Sequence, residues 1–225
     1  MPFRLALALL AIVIGAIGLA LDFYVIAGVM GPPQNRPLWN FLVYYWSFLT
    51  NLSNTALILV YAAELSGARW LGWFRDPVTK GGMAGIMMLV MFFYHFMLAP
   101  YLPDLPQAIE ISNVLLHYVT PVLFLIWWLA LPAHGTLRYR DVPLMLLPGL
   151  AYVLYIELRG PLAGEYSYTI LDPGYAPPGG TAAGPLTVAI SVGVLVVLVA
   201  IFDLLLVFID GLIARRRRAA SRGTA

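Results

Sequence analysis

Long apolar runs alternate with short polar segments along the whole chain. A helix needs about 20 apolar residues to cross hydrocarbon, with about 17 as the lower bound. Runs of that order recur six times, over residues 5–29, 41–62, 82–100, 111–131, 142–158 and 185–209. They are continuously apolar and do not alternate, which predicts helices and not barrel strands. The expected fold is all-α: an integral membrane domain of six transmembrane helices over residues 1–213, then a basic tail over 214–225. The fifth run is the shortest and contains Pro143, Pro148 and Gly149. The first has the outline of a signal peptide, with Arg4 ahead of it and small residues near Gly18-Leu19-Ala20. It continues through Val25-Ile26-Ala27, beyond a typical signal core, so a retained helix is expected.

Composition agrees with the pattern. Hydrophobic residues make up 61% of the chain, charged residues 11%, and mean hydropathy is +0.85. A soluble domain carries about 25% charged residues. The chain has no cysteine, which removes thiol nucleophiles, disulfides and thiolate metal sites. With six spans, eleven of the thirteen Lys and Arg residues fall on one side, and only Arg36 and Arg159 on the other. By the positive-inside rule both termini are expected in the cytoplasm. Arg215, Arg216, Arg217 and Arg218 follow the last span directly. They read as a topological anchor that meets anionic lipid, and no nucleic-acid partner is expected.

The segment 159–184 holds ten Gly and Pro residues and lies on the outer side. It exceeds the ~12–15 residues usual for a structureless loop, so it is a lid or a linker. It also carries Glu165, Tyr166, Tyr168, Asp172 and Tyr175, which a plain linker does not need.

His117 lies inside the apolar run 114–131. An ionisable side chain there is costly and marks a functional site by default. At ~1.5 Å rise per residue, Thr50 lies about 13 Å below the outer boundary, His117 about 9 Å, His95 about 8 Å and Asp22 about 10 Å. Four helices thus bring polar groups to the outer half, while Asp203 and Asp210 lie toward the inner side. Ser47, Thr50 and Asn54 are spaced as one helical stripe with Asn51 beside it, and Asn113, His117 and Thr120 form another. Pro121, four residues after His117, cannot donate to the His117 carbonyl, which predicts a free acceptor and a kink beside the imidazole.

A hydroxyl beside an imidazole is the minimal unit for nucleophilic acyl transfer. Thr50 and His117 can fill those parts, with Asn51, Asn54 or Asn113 as oxyanion donors. Asp22, or Asp172 brought in by the long loop, is a candidate to orient the imidazole. The same cavity also suits a transporter or a lipid-binding protein. His95 and His117 share a depth at which two ligands hold a b-type haem, yet zinc needs at least three. Neither a metal nor a cofactor is expected. His134, in a cytoplasmic loop, is expected to be solvated.

The stretch Trp46-Ser47-Phe48-Leu49-Thr50-Asn51-Leu52-Ser53-Asn54 resembles the second-helix motif of the androgen-induced, six-pass membrane family. Asn113-Val114-Leu115-Leu116-His117-Tyr118-Val119-Thr120-Pro121 is similar to its fourth-helix motif. Tyr166-Ser167-Tyr168-Thr169-Ile170-Leu171-Asp172-Pro173 resembles the Tyr-Pro-Tyr-Pro-Phe-Leu-Asp-Pro loop of its bacterial branch, with Ser167 and Thr169 in place of two prolines. The resemblance spans helices two to six in order. It implies an intramembrane threonine hydrolase that cleaves acyl lipids such as fatty acid esters of hydroxy fatty acids. Its nucleophile and base map onto Thr50 and His117. It also implies location in a bacterial inner membrane.

Overall fold

A computed structural model describes residues 2–31 and 36–222. Among the described residues the regular structure is helical and no strand occurs. The α-helices are α1 (Pro2–Met30), α2 (Leu38–Tyr45), α3 (Leu49–Ser66), α4 (Pro77–Phe93), α5 (Gln107–Val114), α6 (Thr120–Leu129), α7 (Val142–Ala163) and α8 (Gly184–Arg222). A π-helical turn, Leu115–Val119, joins α5 to α6, and another, Tyr94–Leu98, extends α4. Five helical units are long and apolar enough to cross a membrane, and α2 with α3 forms a sixth, broken candidate.

Residues 41–62, expected as one helix, form two that are bent by 78°. The break has no proline or glycine. Its cause is hydrogen bonding. The Ser47 hydroxyl donates back to Val43 O at 2.5 Å, and Phe48 is extended (φ −86°, ψ 130°). Two tyrosines of α7 satisfy what the break exposes: Tyr152 donates to Ser47 O at 2.9 Å, and Tyr155 Oη lies 2.9 Å from Ser47 Oγ. Irregular backbone at membrane depth survives only when it is satisfied in this way.

The core sits around α4, whose residues are buried without interruption from Thr79 to Met87. Pro77 at its first position and the Asp76 carboxylate, which accepts from Val78 N at 2.8 Å, start it cleanly. Small residues let its neighbours come close. A Cβ on Gly82 would lie 2.8 Å from Met145 O, and one on Gly85 would lie 2.0 Å from Asp203 Oδ1. Leu57, Tyr61, Met87, Phe124 and Trp127 close the space between α3, α4 and α6.

Both termini lie at one end of the bundle. Arg217 of α8 donates to Leu131 O and Pro132 O at 2.9 and 2.7 Å, and Arg4 shares a cavity with Glu64, Lys80 and Asp210. His134, expected to be solvated, is instead drawn inward: its Nδ1 lies 2.8 Å from Asp210 Oδ1 and its side chain is buried. Asp210 Oδ2 also accepts from Gly135 N and Leu137 N at 2.8 and 3.0 Å. A buried carboxylate recruits every donor within reach, and the imidazole is one of them. Of the tail, the described residues continue α8 as helix to Arg222.

At the opposite end, Gly164 (φ 69°) ends α7 and the chain folds back over the bundle. Arg36 grips Glu165 through two bonds of 2.6 Å, and Arg159 adds a third at 2.7 Å. Hydrogen bonding from Arg36 holds the Glu165 carboxyl below its usual range. Arg36 also lies over the Tyr44 ring, 4.3 Å from its centroid. Leu171 is buried against Tyr152 and Ile156. Residues 165–173 after α7 are therefore a packed cover, while residues 174–182 are exposed.

Candidate active site

The break before α3 defines the position of Thr50. With Phe48 as N-cap and no side-chain cap, the first amides of α3 have no partner within the helix. Asn51 N and Leu52 N both turn to Phe48 O, at 3.1 Å each, and the amides of Leu49 and Thr50 are met by the Tyr168 hydroxyl. Thr50 is buried at this helix start, where backbone donors and the helix dipole favour negative charge.

The π-helical turn presents the imidazole. Thr120 N bonds to Leu115 O in this turn, and Pro121 has no N–H. The carbonyl left over is therefore that of Leu116, one residue before the His117 carbonyl expected from the proline alone. Asn54 Nδ2 donates to it at 3.1 Å, and Thr120 Oγ1 lies 3.2 Å from it. Asn54 Oδ1 in turn accepts from the Thr120 hydroxyl. This locks α3 to the turn. His117 Nε2 then lies 3.1 Å from Thr50 Oγ1, and Nδ1 lies 3.0 Å from Asn113 O. A carbonyl only accepts, so Nδ1 carries the proton, and in the neutral ring Nε2 is the acceptor for the Thr50 hydroxyl. Tyr94 stacks on the imidazole, with centroids 3.9 Å apart and planes 19° from parallel.

The other sequence candidates divide. Asn51 Nδ2 donates to Tyr45 O at 3.0 Å and to Asp22 Oδ2 at 3.3 Å. Both Asn54 donors go to carbonyls, of Thr50 and Leu116. Neither amide is thus free for an oxyanion, and the Leu49 and Thr50 amides at the start of α3 face the Tyr168 hydroxyl. Asp22 lines the cavity beside Thr50 and His117, but the imidazole is oriented by the Asn113 carbonyl. Asn113 reaches the same cavity. Ser47 falls in the break, outside any stripe with Thr50, and fixes the bend. Asp172 Oδ1 accepts from Gly174 N at 2.8 Å and shapes its own loop. His95 is exposed, with Nδ1 3.0 Å from Tyr118 Oη, so it does not face His117. Among the described residues no group of three or more His, Asp or Glu is arranged to hold a metal ion.

Sequence reasoning missed Tyr168 and Tyr94. The Tyr168 side chain reaches the Thr50 hydroxyl and the amides of Leu49 and Thr50. Its signal was the tyrosine-rich composition of the outer segment, which gave no direction. Tyr94 sits beside the more conspicuous His95, yet it continues the buried stripe Met83, Met87 and Val90 of α4 at helical spacing, a signal the sequence did carry.

Thr50, His117 and Tyr168 form a wall shared by two cavities. One, of about 460 Å³, has a mixed lining, with Asp22, Asn51, Asn113 and Ser167 set among apolar side chains. The other, of about 80 Å³, is lined almost wholly by apolar side chains of α4, α7 and α8. Fold and site together define an all-helical chain, with helices able to span a membrane, that holds a hydroxyl–imidazole pair between an apolar cavity and one of mixed lining. No protein-family model, curated protein or solved structure matches the chain.

Proposed function

We propose that the chain is an intramembrane ester hydrolase acting on acyl lipids such as fatty acid esters of hydroxy fatty acids. The observation that carries this reading is the aligned series Asn113 O, His117 and Thr50 Oγ1. His117 Nε2 removes the hydroxyl proton as Thr50 Oγ1 attacks the ester carbonyl carbon. The oxyanion displaces the Tyr168 hydroxyl from the Leu49 and Thr50 amides, which then stabilise it. The imidazolium returns its proton to the departing alkoxide, leaving an acyl-threonine and a free alcohol. Water, activated by the same imidazole, then releases the fatty acid and restores Thr50.

The proposed setting is a bacterial inner membrane with both termini in the cytoplasm. Support comes from the basic residues that gather at the end holding the termini. Arg215, Arg216 and Arg218 are exposed there and meet anionic lipid in this arrangement.

Activity-based labelling tests the nucleophile. A fluorophosphonate probe labels the purified protein in this reading. Thr50→Ala abolishes labelling, and His117→Ala lowers it by two to four orders of magnitude, on the order of a lost general base. Labelling that survives Thr50→Ala overturns the assignment.

A further inference from the structure

The two cavities that meet at Thr50 differ in chemistry, and the difference assigns the two halves of an ester. The apolar one runs from Tyr168 and Leu171 at the covered end, past Thr50, to Leu89 and Val199. Along α8 it spans Val192 to Val199, about 10 Å at the helical rise. Its outer wall includes Leu150, which is 40% exposed on the side of the bundle, so the slot opens between α7 and α8 onto the apolar face. The other cavity carries the carboxyl, amide and hydroxyl groups of Asp22, Asn51, Asn113 and Ser167.

We infer that the slot between α7 and α8 holds the first carbons of the substrate's acyl chain, which enters laterally with its remainder outside the slot on the apolar face, and that the larger cavity, which carries the polar groups, holds the alcohol portion and the water. This assignment rests on the hydrolase reading for its reaction but not for its binding site. An acyl chain leaving a bilayer for this slot exchanges one apolar environment for another, so burial gives little net selectivity. Selectivity comes from length and shape. Gly149 is the position that sets it. It lines the slot one helical turn inward of Tyr152 and Val153, and a Cβ built there meets nothing within 4 Å. A Cβ at Gly149 therefore has open space around it at the wall of the slot. Val196, on the facing helix, is the complementary wall.

The test uses the full chain in lipid nanodiscs and a series of 4-nitrophenyl esters from butyrate to palmitate. Gly149→Leu raises the ratio of butyrate to palmitate kcat/KM at least tenfold over the wild type, a size common for steric rejection in apolar pockets. Leu105→Phe, in the larger cavity, leaves that ratio within a factor of two. A ratio unmoved by Gly149→Leu, or moved equally by Leu105→Phe, overturns the assignment. A diazirine-bearing palmitate supplies a second readout that needs no turnover. It crosslinks to α7 and α8 in the wild type and loses at least tenfold in yield in Gly149→Leu. Crosslinking there without any ester hydrolysis rejects the hydrolase reading and keeps the slot. Hydrolysis with crosslinks spread over the lipid-facing surface keeps the reaction and rejects the slot.

Discussion

Asn54→Leu separates the architecture of the site from its chemistry. Asn54 is fully buried and holds α3 to the π-helical turn by two contacts that cross between helices: Nδ2 to Leu116 O at 3.1 Å, and the Thr120 hydroxyl to Oδ1. Its third bond, to Thr50 O at 2.8 Å, stays within α3, where Ser53 Oγ also donates at 3.2 Å. Leucine keeps the approximate volume and removes only the polar atoms. The Thr120 hydroxyl can still turn to Leu116 O, so the remaining cost is that of two interhelical hydrogen bonds. Such bonds in membranes average ~0.6 kcal/mol and reach ~1.7 kcal/mol. The loss of stability is therefore about 1–3 kcal/mol in total. Activity falls further, because a 1 Å displacement of a catalytic group costs on the order of 10²-fold. Equilibrium unfolding in mixed detergent micelles measures the first quantity and the fluorophosphonate labelling rate the second. Thr55→Val is the control: its hydroxyl bonds only to Asn51 O, 2.8 Å away on the same helix, and its loss moves neither readout appreciably. A wild-type unfolding midpoint for Asn54→Leu refutes the proposed lock. Full labelling with a clear loss of stability refutes the idea that the lock aligns Thr50 with His117.

Two further predictions concern other parts of the molecule. Gly85→Ala destabilises by 1–3 kcal/mol, an overpacking cost, because its Cβ meets the fully buried Asp203 Oδ1 at 2.0 Å. Since neither oxygen of Asp203 has a hydrogen-bond partner, Asp203→Ala is neutral or stabilising, and in the double variant it cancels the Gly85→Ala cost; additive losses in a thermal-melt cycle refute the contact. Glu165 is held below its ordinary value in the folded chain by Arg36, so its contribution is complete above the unfolded pKa of about 4.3 and is lost as pH falls through the lower folded value. Hydrogen exchange over residues 164–183 is therefore flat from neutral pH to about 5, once corrected for intrinsic rates, and rises in stronger acid. Glu165→Gln shows the raised exchange at pH 7, and a flat acid limb in the wild type refutes the latch.

What could be read from the sequence was depth, and what could not be read was register. Apolar runs located every span, because the hydrocarbon requirement acts on composition over about 20 residues and tolerates local error. They also brought Thr50 and His117 to a similar level, though straight helices would leave them about 4 Å apart in depth. Two irregularities close that gap, and neither has a local signature. The break at Trp46-Ser47-Phe48 depends on Tyr152 and Tyr155, more than a hundred residues along the chain, to satisfy Ser47. The π-helical turn depends on Asn54 to donate to the surplus Leu116 carbonyl. Tyr94 continues the buried stripe of α4 and stacks on the imidazole, while the adjacent His95 is exposed beside Tyr118 Oη. His134 lies in a segment whose composition says loop, yet Asp210, on a helix 76 residues later, pulls it under cover. In each case a distant side chain satisfies a backbone or carboxylate group that the local sequence leaves open. The site at Thr50 is built from such exceptions. An uninterrupted α3 would commit the Leu49 and Thr50 amides to its own ladder and leave none for the Tyr168 hydroxyl. In the proposed hydrolase, the irregular backbone is therefore the feature that distinguishes Thr50 from the other threonines of these helices.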